Sequence, residues 1–237
     1  MKTVFKHKNN PLKSRVYLKK NGKTISPIHD IKLYPNSKKE NIVNMIVEIP
    51  RGSQAKMEMS TNEKHNPIKQ DVKNGKLRFV HYPYPFNYGA LPQTWEDPEH
   101  KDPYTNYYGD GDPIDVCEIG SIENNIGDII QVKVLGIWAM IDEGETDWKV
   151  VCINVKDPLA RKLHNIDSIE KHLPGVLDYY YTFLRDYKIP SGSKPNKFAF
   201  NGEIQRKDFA CKIIKDVHKQ WKSAKNNKKA HKDQLLF

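Results

Sequence analysis

The sequence predicts a β-rich barrel or curled sheet covered by a few helices, and three observations carry that prediction. Apolar and polar residues alternate early in the chain, a long apolar run rich in β-formers fills Ile129 to Ile141, and helical periodicity appears only late. A length of 237 residues with 38% hydrophobic content supports one sizeable core. The chain is read as a single domain over 1–237, with a basic N-terminal extension at 1–40 and a basic C-terminal tail at 224–237.

In chain order, Val43, Met45, Val47 and Ile49 alternate with their neighbours, as do Met57 and Met59 with Lys56 and Glu58. Period two places Lys56 and Glu58 on one face of a strand. Lys76 to Val80 continues in the same style. The run Ile129 to Ile141, the polar turn DEGETD and Trp148 to Val155 read as a hairpin whose loop carries carboxylates. Helices are expected around Ser168 to His172 and from Pro174 through Lys188, where Ile189 and Pro190 stop the second. A last helix from about Arg206 to Ser223 sets Phe209, Ile213, Val217 and Trp221 on one apolar stripe. Lys8 to Arg15 and Pro35 to Glu40 read as loops, and Trp95 and Tyr107 as exposed aromatics suited to an interface.

The net charge of +10 is unevenly spread. Residues 1–40 hold 11 Lys or Arg against 2 acids and residues 205–237 hold 10 against 3, so the stretch between them is net negative. The lysine-rich ends lack interleaved aromatics and read as solvated surface, with no nucleic-acid partner expected. Glu96 to Asp147 holds 14 acids and only two bases, Lys101 and Lys133. So dense a negative charge repels itself unless cations bind. No apolar run approaches the roughly 20 residues of a membrane span, and MKTVFKHKNN lacks a signal-type apolar stretch. Three widely spaced cysteines fit free thiols in a reducing compartment, here the cytoplasm.

Asp110, Asp112 and Asp115 stand at D-x-D-x-x-D spacing beside Gly111 and Pro113, whose turn chemistry can make the three side chains converge. A second acidic loop carries Asp142, Glu143, Glu145 and Asp147. An EF-hand counted from Asp110 would need Gly and Glu where Asp115 and Ser121 stand, so that reading fails. Histidines lack ligand spacing to the carboxylates, leaving zinc unsupported. Hard oxygen ligands favour Mg²⁺, with Mn²⁺ as a substitute. Several such ions share a site only around an anion, phosphate being the usual one, and Lys56, Arg78, Tyr84, Tyr88, Lys149, Tyr187 and Lys188 supply donors for it. The phosphate loop of nucleotide-binding proteins, G-x-x-x-x-G-K-[ST], is missing.

DGDPIDV at Asp110 to Val116 resembles the D-x-D-P-x-D-[VA] signature of family I soluble inorganic pyrophosphatases. VEIPRGSQAKMEM at Val47 to Met59, NYGALPQTWEDP at Asn87 to Pro98, KVLGIWAMIDEGETDWK at Lys133 to Lys149 and YKIP at Tyr187 to Pro190 resemble that family's other blocks, in its order. The long terminal extensions are similar to the eukaryotic type. The resemblance implies an OB-like five-stranded closed β-barrel with packed helices, a homodimer, and Mg²⁺-dependent hydrolysis of pyrophosphate to two phosphates with three to four ions per site.

Carried over by position, the resemblance makes Asp110, Asp115 and Asp147 ligands of the tighter metal pair, with Asp115 bridging. Asp142 and Asp147 would hold a third ion and Glu58 a fourth. Asp112 matches the general base. Lys56, Arg78, Tyr84, Tyr88, Lys149, Tyr187 and Lys188 match phosphate-binding positions, Lys56, Arg78 and Tyr88 taking part in catalysis, and Glu48 matches an acid behind the ligands. No Ser, Cys or His with a suitable base stands in these blocks, so water is expected to attack directly.

Overall fold

The computed structural model describes residues 1–227 and 234–235. Its strands are β1 (Lys2–Lys6), β2 (Arg15–Lys20), β3 (Lys23–Ile25), β4 (Ile42–Ile49), β5 (Met57–Met59), β6 (Ile68–Gln70), β7 (Val72–Lys73) and β8 (Lys76–Leu77). There follow β9 (Asn87–Ala90), β10 (Asp115–Glu118), β11 (Ile129–Asp142) and β12 (Glu145–Asn154). Helices α1 (Ile166–His172) and α2 (Val176–Asp186) come next, then the short β13 (Lys197–Phe198) and β14 (Gln205–Arg206), and helix α3 (Lys207–Asn226). No helix among the described residues is long and apolar enough to cross a membrane.

Five strands close into a ring in the order β12, β10, β9, β4, β11 and back to β12, in agreement with the expected architecture. Only β10 and β12 run parallel. The expected hairpin is β11 and β12, and Glu143 and Gly144 at its tip both take positive φ, 50° and 97°. That backbone lets the strands turn within two residues, so Asp142 and Asp147 are strand residues rather than loop residues. Gly89 lies where β9 crosses β4: a Cβ there would come 1.9 Å from the Ile46 carbonyl oxygen, so only glycine lets the strands meet.

The ring is apolar on both sides. Val43, Val116, Ile137, Trp148 and Val150 pack with Ile213, Ile214 and Val217 of α3, while Phe86, Trp138 and Val151 pack under Leu177, Tyr180 and Phe183 of α2. A second sheet, ordered β1, β2, β6, β5 with β3 beside β2, joins Val16, Met59 and Ile68 to Ile46, Trp95 and Trp221. This layer explains a departure from the half-exposed strand that alternation implies: Met45 to Ile49 are buried without a break because both faces of β4 are covered.

Several expectations change. The N-terminal extension contributes β1, β2 and β3, so five of its ten lysines, Lys2, Lys6, Lys19, Lys20 and Lys23, lie on strands. Lys76 to Val80 is a strand only over Lys76–Leu77, and Phe79 points outward. Helix α2 begins after Gly175, whose φ of 76° makes it a capping turn, two residues later than Pro174 suggests. The helix-stripe expectation agrees with Ile213, Val217 and Trp221 being buried in α3. That helix continues to Asn226, and 228–233 and 236–237 of the expected tail lie outside the described residues. Trp95, expected at the surface, is fully buried; its indole Nε1 donates to the Gly111 carbonyl at 2.9 Å.

Candidate active site

The acidic loop is fixed by its neighbours before any ligand enters. Glu96 N donates to the Asp112 carbonyl and Gly111 N to the Glu96 carbonyl, each at 2.9 Å. Leu91 N reaches the Ile114 carbonyl at 3.0 Å, and the Asp112 amide donates to Asp110 Oδ1 at 2.9 Å. Asp115 then opens β10, where the parallel register sets it beside Lys149 of β12. Period two puts Asp147 and Lys149 on one face of β12, and the hairpin register places Asp142 opposite Glu145. The sequence thus converts two separated acidic segments into neighbouring strand ends.

Cations and phenols arrive from four other places, beside β5, after β8, on β9 and after α2. Lys56 Nζ lies 2.9 Å from Glu58 beside β5. Arg78 pairs with Asp71 at 2.5 Å, and Lys56 stands 3.5 Å from the same carboxylate. Tyr187 and Lys188 follow α2, and Lys188 pairs with Asp142. Lys149 Nζ donates to Asp147 at 2.5 Å, to the Tyr88 hydroxyl at 2.9 Å and to Asp115, which also accepts from Tyr88.

Every residue expected at the site except Tyr84 lines one cavity of about 240 Å³, Glu48 included. Glu48 is buried, with Oε1 accepting from Met59 N at 2.6 Å. Tyr84 is buried, its ring centroid 5.2 Å from those of both Tyr88 and Phe183, and its phenol is near enough to feel the charges of Lys56 and Lys149. Two further acids stand here whose place no sequence pattern signals. Asp71 joins Arg78 and Lys56 and had no signal, being a lone acid in a polar stretch. Glu96 lies inside the NYGALPQTWEDP block, and only the fold reveals that a carboxylate oxygen of Glu96, one of Asp110 and one of Asp147 all fall within 4.8 Å of one another.

The charge balance is severe. Burial first, then Asp147 and Asp112, raises the Asp110 carboxyl well above the usual range. Asp147 rises to about 7 through burial, against the pull of Lys149. Asp112 also rises to about 7, from the enclosure of the cavity and then Glu58 and Asp115, although the residue still faces water within it. Burial would discharge Lys149, but Asp115 and Asp147 outweigh it and hold the ammonium charged. Tyr88 is pushed up by burial and then by Asp115, so its phenol keeps its proton and donates.

These residues fit a hard divalent cation. The donors are carboxylate oxygens, and Asp142 Oδ1 and Glu96 Oε2 are buried with no hydrogen-bond partner. Groups whose folded pKa is raised make the folded chain hold protons that the unfolded chain has lost, so stability falls as pH climbs through that window. For Asp147 the window runs from about 4, the ordinary carboxyl value, to about 7. Metal-free protein is therefore expected to lose melting temperature over this range, and added Mg²⁺ to raise it more at pH 8 than at pH 5. Thermal melts with and without Mg²⁺ check this; an equal gain at both pH values would contradict it.

Comparison with known proteins adds to this geometry. The family model described as inorganic pyrophosphatase matches residues 45–222. An inorganic pyrophosphatase of Dictyostelium discoideum is 58% identical over 211 residues, covering 89% of this chain and 75% of that protein. The mouse inorganic pyrophosphatase is 53% identical over 218 residues, covering 90% and 74%. Among solved structures, the inorganic pyrophosphatase of Schistosoma japonicum superposes with a TM-score of 0.90 at 50% identity, covering 93% of this chain and 79% of that one. An N-terminally truncated vacuolar soluble pyrophosphatase of Trypanosoma cruzi, solved in complex with PPi, superposes at 0.88 with 44% identity, covering 94% and 90%.

Proposed function

Because the chain belongs to the family I inorganic pyrophosphatases, of eukaryotic type, we propose that it hydrolyses pyrophosphate to two orthophosphates with Mg²⁺, by direct attack of water on one phosphorus. The observation that carries this reading is the meeting of a carboxylate face and a cationic face in one cavity. Asp110, Asp115 and Asp147 would hold the tighter ions, Asp142 with Asp147 a third and Glu58 a fourth, with Mn²⁺ as a substitute. When bound, these ions supply charge neutralisation of the substrate and acidification of the attacking water.

The chain's own groups divide the rest. Asp112, exposed to the cavity's water and pushed up to about 7 while no ion is bound, accepts the attacking water's proton on its carboxylate; cations held by Asp115 and Glu58 would lower that value and keep the carboxylate charged at neutral pH. Arg78 and Lys56, oriented through Asp71, grip phosphate oxygens, the guanidinium through two parallel N–H donors. Lys149, Lys188, Tyr187 and the protonated Tyr88 meet the remaining oxygens and stabilise charge on the departing phosphate. Tyr84 supports Tyr88 by packing, while Glu48 holds β5 in register through Met59. No Ser, Cys or His lines this cavity among the described residues, in keeping with a reaction without a covalent intermediate. A homodimer and a cytoplasmic location complete the proposal, the latter resting on three free cysteines.

Phosphate release from pyrophosphate, ATP and tripolyphosphate, each with Mg²⁺, Mn²⁺ or Ca²⁺, tests it. Pyrophosphate with Mg²⁺ should be fastest and Ca²⁺ should inhibit, because its larger, looser coordination holds reactants less closely. Preference for ATP, or turnover unchanged by a chelator, would overturn the reading.

A further inference from the structure

Glu96 is hard to explain as a packing residue. Its side chain is 3% exposed, in a fold where buried carboxylates need partners. One oxygen has a partner: Oε1 accepts from the Trp148 amide at 3.0 Å. The other, Oε2, is buried and accepts nothing, and no Lys, Arg or His lies within ion-pair distance of Glu96 among the described residues. A glutamine would serve the Trp148 amide equally well, so the choice of an acid here is unexplained by the protein around it.

The surroundings of that acid are other carboxyls. Asp110 and Asp147 each bring an oxygen within 4.8 Å of one from Glu96. Lys149 is engaged with Asp147 and Asp115 and forms no ion pair with Glu96. Glu96 is also held rigidly: its amide and carbonyl both bond the acidic loop, at Asp112 and Gly111, and its carboxylate ties that loop to β12. Three converging carboxyls, one with an unsatisfied buried oxygen, coexist by holding protons or by sharing a cation, and only the cation uses all three as carboxylates.

We infer that Glu96 is a further carboxylate of the cation cradle, setting the affinity of the ion held at Asp110 and Asp147. This rests on the metal reading above and adds a residue to it. Glu96 carries no part of the phosphate chemistry; its charge acts on the ion before substrate arrives.

The test is Mg²⁺ titration by calorimetry, without pyrophosphate, on wild type, Glu96→Gln and Asp110→Asn, with a metal-free melt of each. Glu96→Gln keeps the acceptor for Trp148 and removes only the charge. It should bind Mg²⁺ about 10- to 100-fold more weakly, while melting no lower than wild type when metal-free. Wild-type affinity in Glu96→Gln, with Asp110→Asn weakened, would overturn the role of Glu96 alone. If Asp110→Asn also bound as wild type does, the metal reading itself would fall. A Glu96→Gln protein that cannot fold without metal would make the residue structural and end the inference.

Discussion

Replacing Asp112 by Asn is expected to lower kcat for pyrophosphate at least about 100-fold, the usual cost of losing a general base, and to leave the fold intact. The loop holds Asp112 through its backbone: the amide donates to Asp110 and the carbonyl accepts from Glu96. Its carboxylate takes no part in those bonds, so an amide of the same shape fits. What changes is the ability to take a proton, which a carboxylate facing the cavity's water has and an amide lacks. Steady-state rates with a parallel melt measure this. Near-wild-type turnover would remove Asp112 from the proton's path, and a collapsed melting temperature would mean the loop depends on its charge.

The largest effect on stability is expected from Lys149→Met. Lys149 is 2% exposed and donates to Asp115, Asp147 and Tyr88. Removing one partner from buried ion pairs costs about 3–5 kcal/mol, because the charges left behind have no water. The loss should be largest in metal-free protein at pH 8. It should shrink by pH 5.5, where Asp147, already near 7 with Lys149 present, takes up a proton and loses the charge that needed a partner. Urea unfolding at the two pH values, repeated with Mg²⁺, separates charge from packing. Equal losses in all conditions would mean that the lysine's methylenes matter more than its ammonium.

These effects depend on contacts that the sequence makes legible to different degrees. The β11–β12 hairpin is legible because a long apolar run, a polar turn and a second apolar run are local signals. The aspartates are legible because D-x-D-x-x-D is short and lies within blocks whose order is itself informative. Residues whose meaning is tertiary are not. Asp71 is one acid among several until the chain folds it between Lys56 and Arg78. Trp95 looks like a surface aromatic because its flanking residues are polar, yet Trp221 and the outer sheet bury it beneath the acidic loop. The alternation in β4 correctly signals a strand, but a period-two pattern cannot say that a second sheet will cover the other face. The N-terminal strands are short and lysine-rich, so composition hides them.

Those N-terminal strands bear on how the molecule limits open-ended strand pairing with its own copies. The ring has no free edge, but the outer sheet ends on β1, which among the described residues pairs only with β2. An open edge invites another chain to add a strand, and lysines are a common guard against it. Here the guard works in register: Lys2 faces Lys19 and Lys6 faces Arg15 across the β1–β2 pair. Like charges directly opposite weaken a pairing; Arg15 offsets its share through Glu63 at 2.8 Å and Lys6 through the Tyr17 ring at 4.8 Å, which leaves Lys2 and Lys19 as the pair that repels. Salt screens this repulsion and the one facing intruding strands, tightening β1 onto its neighbour while lowering the barrier to edge-to-edge association.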